Sequence, residues 1–116
     1  MTREQFIAMI EEVETGGLRD RLRAIGDGGK ACGAFQQHWD WRVDYWPRWA
    51  WEVLRVLDKM ALQSFVERHR PEGTARELAC LYNLGHKAPD PSYEQKCLSA
   101  LITLGIPSLN LDREID

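Results

Sequence analysis

Helix beginnings and ends punctuate this chain. Thr2 is followed three residues on by Gln5, and Thr74 by Glu77. Each pair is a capping box, in which two side chains satisfy amide groups that an opening helix leaves bare. The first predicts a helix to about Glu14 with Phe6, Ile7, Ile10 and Val13 on its buried stripe, stopped by Gly16 and Gly17. The second predicts a helix through about Asn83, stopped by Gly85. Asp90-Pro91, or Ser92, opens a last helix that Gly105 and Pro107 close. Pro47 opens a longer one, with Ala50, Leu54, Leu57, Ala61 and Phe65 at core spacing. Between the first helix and Pro47 lies a charged stretch with Arg19, Asp20, Arg21 and Arg23, and then Gly26-Asp27-Gly28-Gly29, a cluster suited to a tight turn. The fold expected is mainly α: a helical bundle around a central helix, with at most one small β-hairpin near residues 24–32. The tail, 108–116, shows no helical period. It is expected to be irregular, to lay Leu109 and Leu111 on the surface, and to fray.

At 116 residues, 44% of them hydrophobic, the chain makes one domain, 1–116, with a small core. A formal charge of −3 provides no basic footprint, which argues against nucleic acid as a partner. Apolar runs such as 98–104 fall far short of the ~20 residues that span a bilayer, so no stable membrane insertion is expected. The start is acidic and helical and does not read as a secretory signal. Cys32, Cys80 and Cys97 are odd in number and lack metal-ligand spacing. They read as buried thiols of a protein made in the cytoplasm, or as one disulfide engaging Cys32 plus a free thiol. His38, His69 and His86 also lack metal-ligand spacing and are expected on the surface. Arg68, His69 and Arg70 suit a helix C-terminus. No metal and no cofactor are expected.

The first helix carries the chemistry. Glu14 falls in its last turn, seven residues after Ile7 and four after Ile10, which places it at the edge of the buried face. Partial burial and the negative end of the helix dipole both disfavour its carboxylate. A carboxyl still protonated near neutral pH is what glycoside cleavage needs, because the leaving oxygen must receive a proton. Alone, Glu14 reads more readily as an ordinary solvated glutamate beside Glu11 and Glu12. Five tryptophans, Trp39, Trp41, Trp46, Trp49 and Trp51, crowd a short stretch. Most are expected in the core, with Trp39 or Trp41 reaching a cleft where an indole face stacks on a sugar ring.

Three short motifs occur in order between residues 14 and 85: Glu14-Thr15-Gly16-Gly17, Gly33-Ala34-Phe35-Gln36 and Leu81-Tyr82-Asn83. Together they resemble the lysozyme-like superfamily, in particular the soluble lytic transglycosylases and the goose- and invertebrate-type lysozymes. The resemblance implies an α+β lysozyme-like fold with Glu14 as general acid. It implies that Gln36 bonds substrate or fixes the local backbone, that Tyr82 aims or hydrogen-bonds the Glu14 carboxyl, and that Asn83 contacts sugar N-acetyl or hydroxyl groups. Thr15 stands where the family usually has serine and keeps its hydroxyl for the substrate. Phe35 stands where the family usually has methionine and would alter the pocket wall. Asp27 lies near the offset at which hydrolysing relatives carry a second carboxylate. Two readings stand for it: a second catalytic group, or the shaping residue of its own turn.

The resemblance implies cleavage of the β-1,4 bond between N-acetylmuramic acid and N-acetylglucosamine in peptidoglycan, as a lysozyme or as a lytic transglycosylase. The missing signal and the small size suggest a phage endolysin or a virion-borne muralytic enzyme acting on the bacterial wall, with peptidoglycan strands and other virion proteins as partners. The rivals are an inactive lysozyme-like wall-binding or virion module, and a glycosidase of chitin.

Overall fold

The computed structural model describes residues 1–18, 25, 26, 28, 31, 32, 35–38, 41, 45 and 58–116. Within them the chain is mainly helical, with α1 at Arg3–Thr15, α2 at Asp58–His69, α3 at Ala75–Leu84 and α4 at Pro91–Leu104. The starts form as their residues dictate. Thr2 Oγ1 accepts from the Gln5 amide at 3.1 Å, while Gln5 Oε1 accepts from the Thr2 amide at 2.9 Å. Thr74 and Glu77 make the same reciprocal pair. Asp90 caps α4 by accepting from the Tyr93 amide, with Pro91 in the first turn. Gly85 and Gly105 end α3 and α4 at φ 80° and 69°, a left-handed conformation that costs glycine little. Of the stripe behind Pro47, Ala61 and Phe65 are buried in α2; Pro47, Ala50, Leu54 and Leu57 lie outside the described residues.

The hairpin expected near 24–32 is made by β1 (Ile25–Gly26) and β2 (Ala31–Cys32), with Ile25 opposite Cys32 and Gly26 opposite Ala31. A third antiparallel strand, β3 (Gln37–His38), pairs with β2. Between β2 and β3, Gln36 takes a positive φ of 48°, strained for a non-glycine residue. Its side chain lies over Gly26, where any Cβ would collide with Gln36 Oε1. A side chain at 26 would require the Gln36 amide to swing aside.

The helices share one core. α1 packs against α4 and α2, and α3 packs against α4. Phe6, Met9 and Ile10 of α1 meet Leu62, Phe65 and Val66 of α2, Leu78 of α3 and Leu101 of α4 in one buried cluster. Each such side chain contributes ~1.5–3 kcal/mol of burial. Val13 is packed against this cluster only in part, which leaves the end of α1 at the core's margin.

The tail differs from expectation. Ser108–Asp112 forms a 3-10 turn, and Thr74 pairs with Glu114 in a β-bridge. The Ala75 amide donates to the Arg113 carbonyl at 2.8 Å, and the Asp116 amide to the Met1 carbonyl at 3.0 Å. Leu111 and Ile115 are core residues, whereas Leu109 is exposed. Arg76 fastens the turn by donating to Asp112 Oδ1 at 2.8 Å and to Glu94 Oε1 at 2.7 Å. The tail is held because its turn packs against α3 and α4 and because Leu111 and Ile115 are buried, contacts that no helical period announces. Cys80 and Cys97 are free, buried thiols. Burial is the main cause that pushes Cys97 up to about 12. No helix among the described residues is long and apolar enough to cross a membrane.

Candidate active site

Glu14 occupies the last turn of α1, half-buried where that helix crosses α4. The crossing brings Tyr93, three residues into α4 from its Asp90 cap, against the glutamate. The Tyr93 hydroxyl donates to Glu14 Oε1 at 2.9 Å. Burial, the largest influence, pushes the Glu14 carboxyl above the usual glutamate range. The bond from Tyr93 and the charge of Lys96 pull it the other way without outweighing burial. Tyr93 is itself pushed well above the ordinary phenol range, by its own burial first and by the charge of Glu14 next, so it remains a donor. With Oε1 engaged by Tyr93, Oε2 is left as the oxygen that can carry a proton to a ligand.

Glu14 faces an open cavity of about 650 Å³. Gln36 and His38 border it from the sheet, Leu81, Tyr82 and Asn83 from α3, and Trp41, Tyr45, Phe65 and His69 from an aromatic wall. The Trp41 and Tyr45 rings lie 4.4 Å apart, and Tyr82 meets Trp41 edge-on at 5.1 Å. Behind Glu14, a smaller polar cleft of about 140 Å³ is lined by Asn83, Asp90, Ser92, Tyr93 and Lys96. The carboxyl thus stands between an aromatic groove and a polar recess.

Of the residues singled out from the sequence, Glu14, Gln36, Trp41, Tyr82 and Asn83 meet at this cavity. Asp27 and Trp39 lie outside the described residues, as do Gly33 and Ala34 of the second motif. Thr15 is not on the cavity wall: it is buried, and its hydroxyl donates to the Glu11 carbonyl at 3.2 Å. One residue further along the helix than Glu14, its side chain turns about 100° away, from the cavity into the packing.

Tyr82 does not take the role that the resemblance implied. Its hydroxyl donates to the Phe35 carbonyl at 2.5 Å, tying α3 to the corner before β3, and Tyr93 is the residue that reaches Glu14. Phe35 is a core side chain and does not line the cavity. Asn83 is anchored, its Nδ2 donating to Asp90 Oδ2 at 3.1 Å, which holds it at the rim between the groove and the recess.

Tyr93, Tyr45, Gln37 and His69 stand at the cavity or the acid and were not singled out from the sequence as site residues. A signal for Tyr93 existed, since a tyrosine on the buried face of a capped helix needs a partner for its hydroxyl. His69 was expected on the surface; its imidazole is 18% exposed and borders the cavity. Among the described residues no group of three or more His, Cys, Asp or Glu side chains is gathered as for a metal ion. Comparison with protein-family models, with curated proteins and with solved structures found no match to the chain.

Proposed function

We propose that this protein is a glycosidase that cleaves the β-1,4 bond between N-acetylmuramic acid and N-acetylglucosamine in peptidoglycan, with Glu14 as general acid. The observation that carries the reading is the Glu14 carboxyl, displaced toward its protonated form by burial, aimed by Tyr93, and open to an aromatic-walled groove. Glycoside cleavage asks for that combination: a proton held near neutral pH, a fixed direction, and apolar ring surface against which a sugar packs. The ordered motifs from Glu14 to Asn83 favour peptidoglycan over other glycans.

In this reading Glu14 Oε2 gives its proton to the glycosidic oxygen as the C1–O bond breaks. Charge builds on the sugar as an oxocarbenium-like state. Trp41 supports a ring by stacking, while Gln36 and Asn83 supply polar contacts at the groove's edges. The anomeric centre is then captured by water or by the sugar's own C6 hydroxyl. Asp27 is proposed to serve the water route. Release of such an enzyme at phage lysis, or its carriage on a virion, is the setting proposed for it.

A gel containing embedded bacterial walls tests the reading. A cleared band for the wild type and none for a folded Glu14→Gln protein supports it. Clearing on purified chitin with none on walls would replace the substrate, and clearing on neither would leave an inactive binding module.

A further inference from the structure

Proton donation by Glu14 uses the groove on one side of its carboxyl and leaves the polar recess on the other side without a task. That recess, about 140 Å³ in volume, is bordered by Asp90, Ser92 and Lys96 as well as by Glu14 and Asn83. Pockets for whole ligands begin at roughly 300 Å³, so the recess has room for a substituent and not for a further sugar ring. The two spaces meet at Glu14 and Asn83, which border both.

The charged groups of the recess are unequally committed. Asp90 is engaged by the fold: its Oδ1 accepts from the Tyr93 amide at 3.3 Å, and its Oδ2 from Asn83 Nδ2 at 3.1 Å. Glu14, as a general acid, carries a proton and no charge. Lys96 is the cation. Lys59 and Lys87 are paired with Glu4 and Glu72. Lys96 has no ion pair among the described residues, and the pull of its charge is felt at Glu14. Ser92 and Lys96 stand four residues apart on α4, so a hydroxyl and an ammonium share one face of that helix. An ammonium with no carboxylate in salt-bridge range, beside a small polar recess, suits an anionic substituent.

We propose that the recess, with Lys96 as its cation, takes a carboxylate that branches from O3 of the muramic acid whose bond Glu14 cleaves. That carboxylate belongs to the lactyl group in bare strands and to the stem peptide where one is attached. C3 lies two ring positions from the reacting C1, so a sugar presented to Glu14 brings its branch to the rim shared by groove and recess. Chitin has a plain hydroxyl at that position and gains nothing from Lys96. Lys96 is thereby a specificity-determining residue that separates peptidoglycan from neutral glycans. The inference rests on the glycan reading given above.

Binding without turnover tests it. The parent is the full chain with Glu14→Gln, in which the influence of Lys96 on the acid drops out, titrated calorimetrically at pH 7. Two ligands are acidic: an N-acetylglucosamine–N-acetylmuramic acid tetrasaccharide with free lactyl carboxylates, and the same sugar carrying L-alanyl-D-glutamate on each lactyl group. Two are neutral: the lactyl methylamide of that tetrasaccharide, and chitotetraose. Lys96 is exposed, so its replacement leaves the core intact. Adding Lys96→Met keeps the aliphatic stem, removes the charge, and should weaken binding of an acidic ligand about 3- to 5-fold, the effect of a partly exposed ion pair. Both neutral ligands should bind as before, and Lys96→Arg should stay within about twofold of the parent throughout. Loss confined to the free-acid sugar assigns the carboxylate to the lactyl group, loss confined to the peptide-bearing sugar assigns it to the stem, and loss on both supports either source. Unchanged affinity of the Lys96→Met protein for both acidic ligands, or an equal loss on the neutral ones, would overturn the inference and leave the glycan reading in place. A parent that binds none of the four would instead remove the glycan reading, and the role of the recess with it.

Discussion

The Tyr93 hydroxyl donates to Glu14 Oε1 at 2.9 Å, joining residues 79 positions apart in the sequence. The bond exists because α1 crosses α4, and it does two opposed things. It fixes the direction of the carboxyl, and it stabilises the charged form that general acid catalysis must avoid. Burial prevails over it, so the site holds an oriented acid whose proton affinity remains raised.

Tyr93→Phe separates these effects. Without the donated bond the Glu14 pKa rises further, so the alkaline limb of the pH–activity curve should move upward. Turnover should fall about tenfold as orientation is lost. A pH–rate profile of the variant on peptidoglycan checks both. An unmoved limb would mean that the Tyr93 bond does not govern the acid.

Glu14 should also leave a mark on stability. Its folded pKa lies above the unfolded value, so its favourable contribution is complete below the ordinary glutamate range and is lost as pH rises through the folded pKa. Each tenfold change in proton affinity is worth about 1.4 kcal/mol. Glu14→Gln keeps an acceptor for Tyr93 and carries no charge. Its melting temperature relative to wild type should therefore climb by several degrees between pH 4 and pH 7.5. A difference that stays flat with pH would show that the carboxylate is not desolvated.

Much of this was legible in the sequence, because capping chemistry is local. Thr2 with Gln5, Thr74 with Glu77, and Asp90 with Pro91 each fix a helix start without help from distant residues. Glu14 was placed by the same local logic, from its distance to Ile7 and Ile10. What depended on tertiary approach was not legible. Tyr82 and Tyr93 are both tyrosines on helices near Glu14, and only the crossing of α1 with α4 decides which one meets it. Leu111 and Ile115 became core through a β-bridge to Thr74, a long-range pairing that no periodicity records. Thr15 followed its motif in sequence but not in space, because one helical step turned it inward.

Tyr82→Phe should behave unlike Tyr93→Phe. It removes the bond to the Phe35 carbonyl at 2.5 Å and leaves that acceptor without its hydroxyl donor. A loss of about 1–2 kcal/mol is expected, read by denaturant titration. The pH profile of the folded fraction should not move. A shifted alkaline limb would place Tyr82, rather than Tyr93, in control of the acid.

Asp27 separates two outcomes after the bond breaks. Hydrolysis predicts reducing sugar ends and a crippled Asp27→Asn protein, with the two carboxyl groups about 5 Å apart for retention or about 6.5–9.5 Å for inversion. Anhydro-sugar products from a fully active Asp27→Asn protein would assign capture to the substrate's own C6 hydroxyl.

Mass spectrometry of fragments released from purified peptidoglycan, by wild type and by Glu14→Gln side by side, tests the central claim most directly. The wild type should release disaccharide-based fragments cut between N-acetylmuramic acid and N-acetylglucosamine. The folded Glu14→Gln protein should release them at least ~10²-fold more slowly, the loss of a general acid. Release of no glycan fragments by the wild type, or more than a tenth of its rate in the Glu14→Gln protein, would contradict the account.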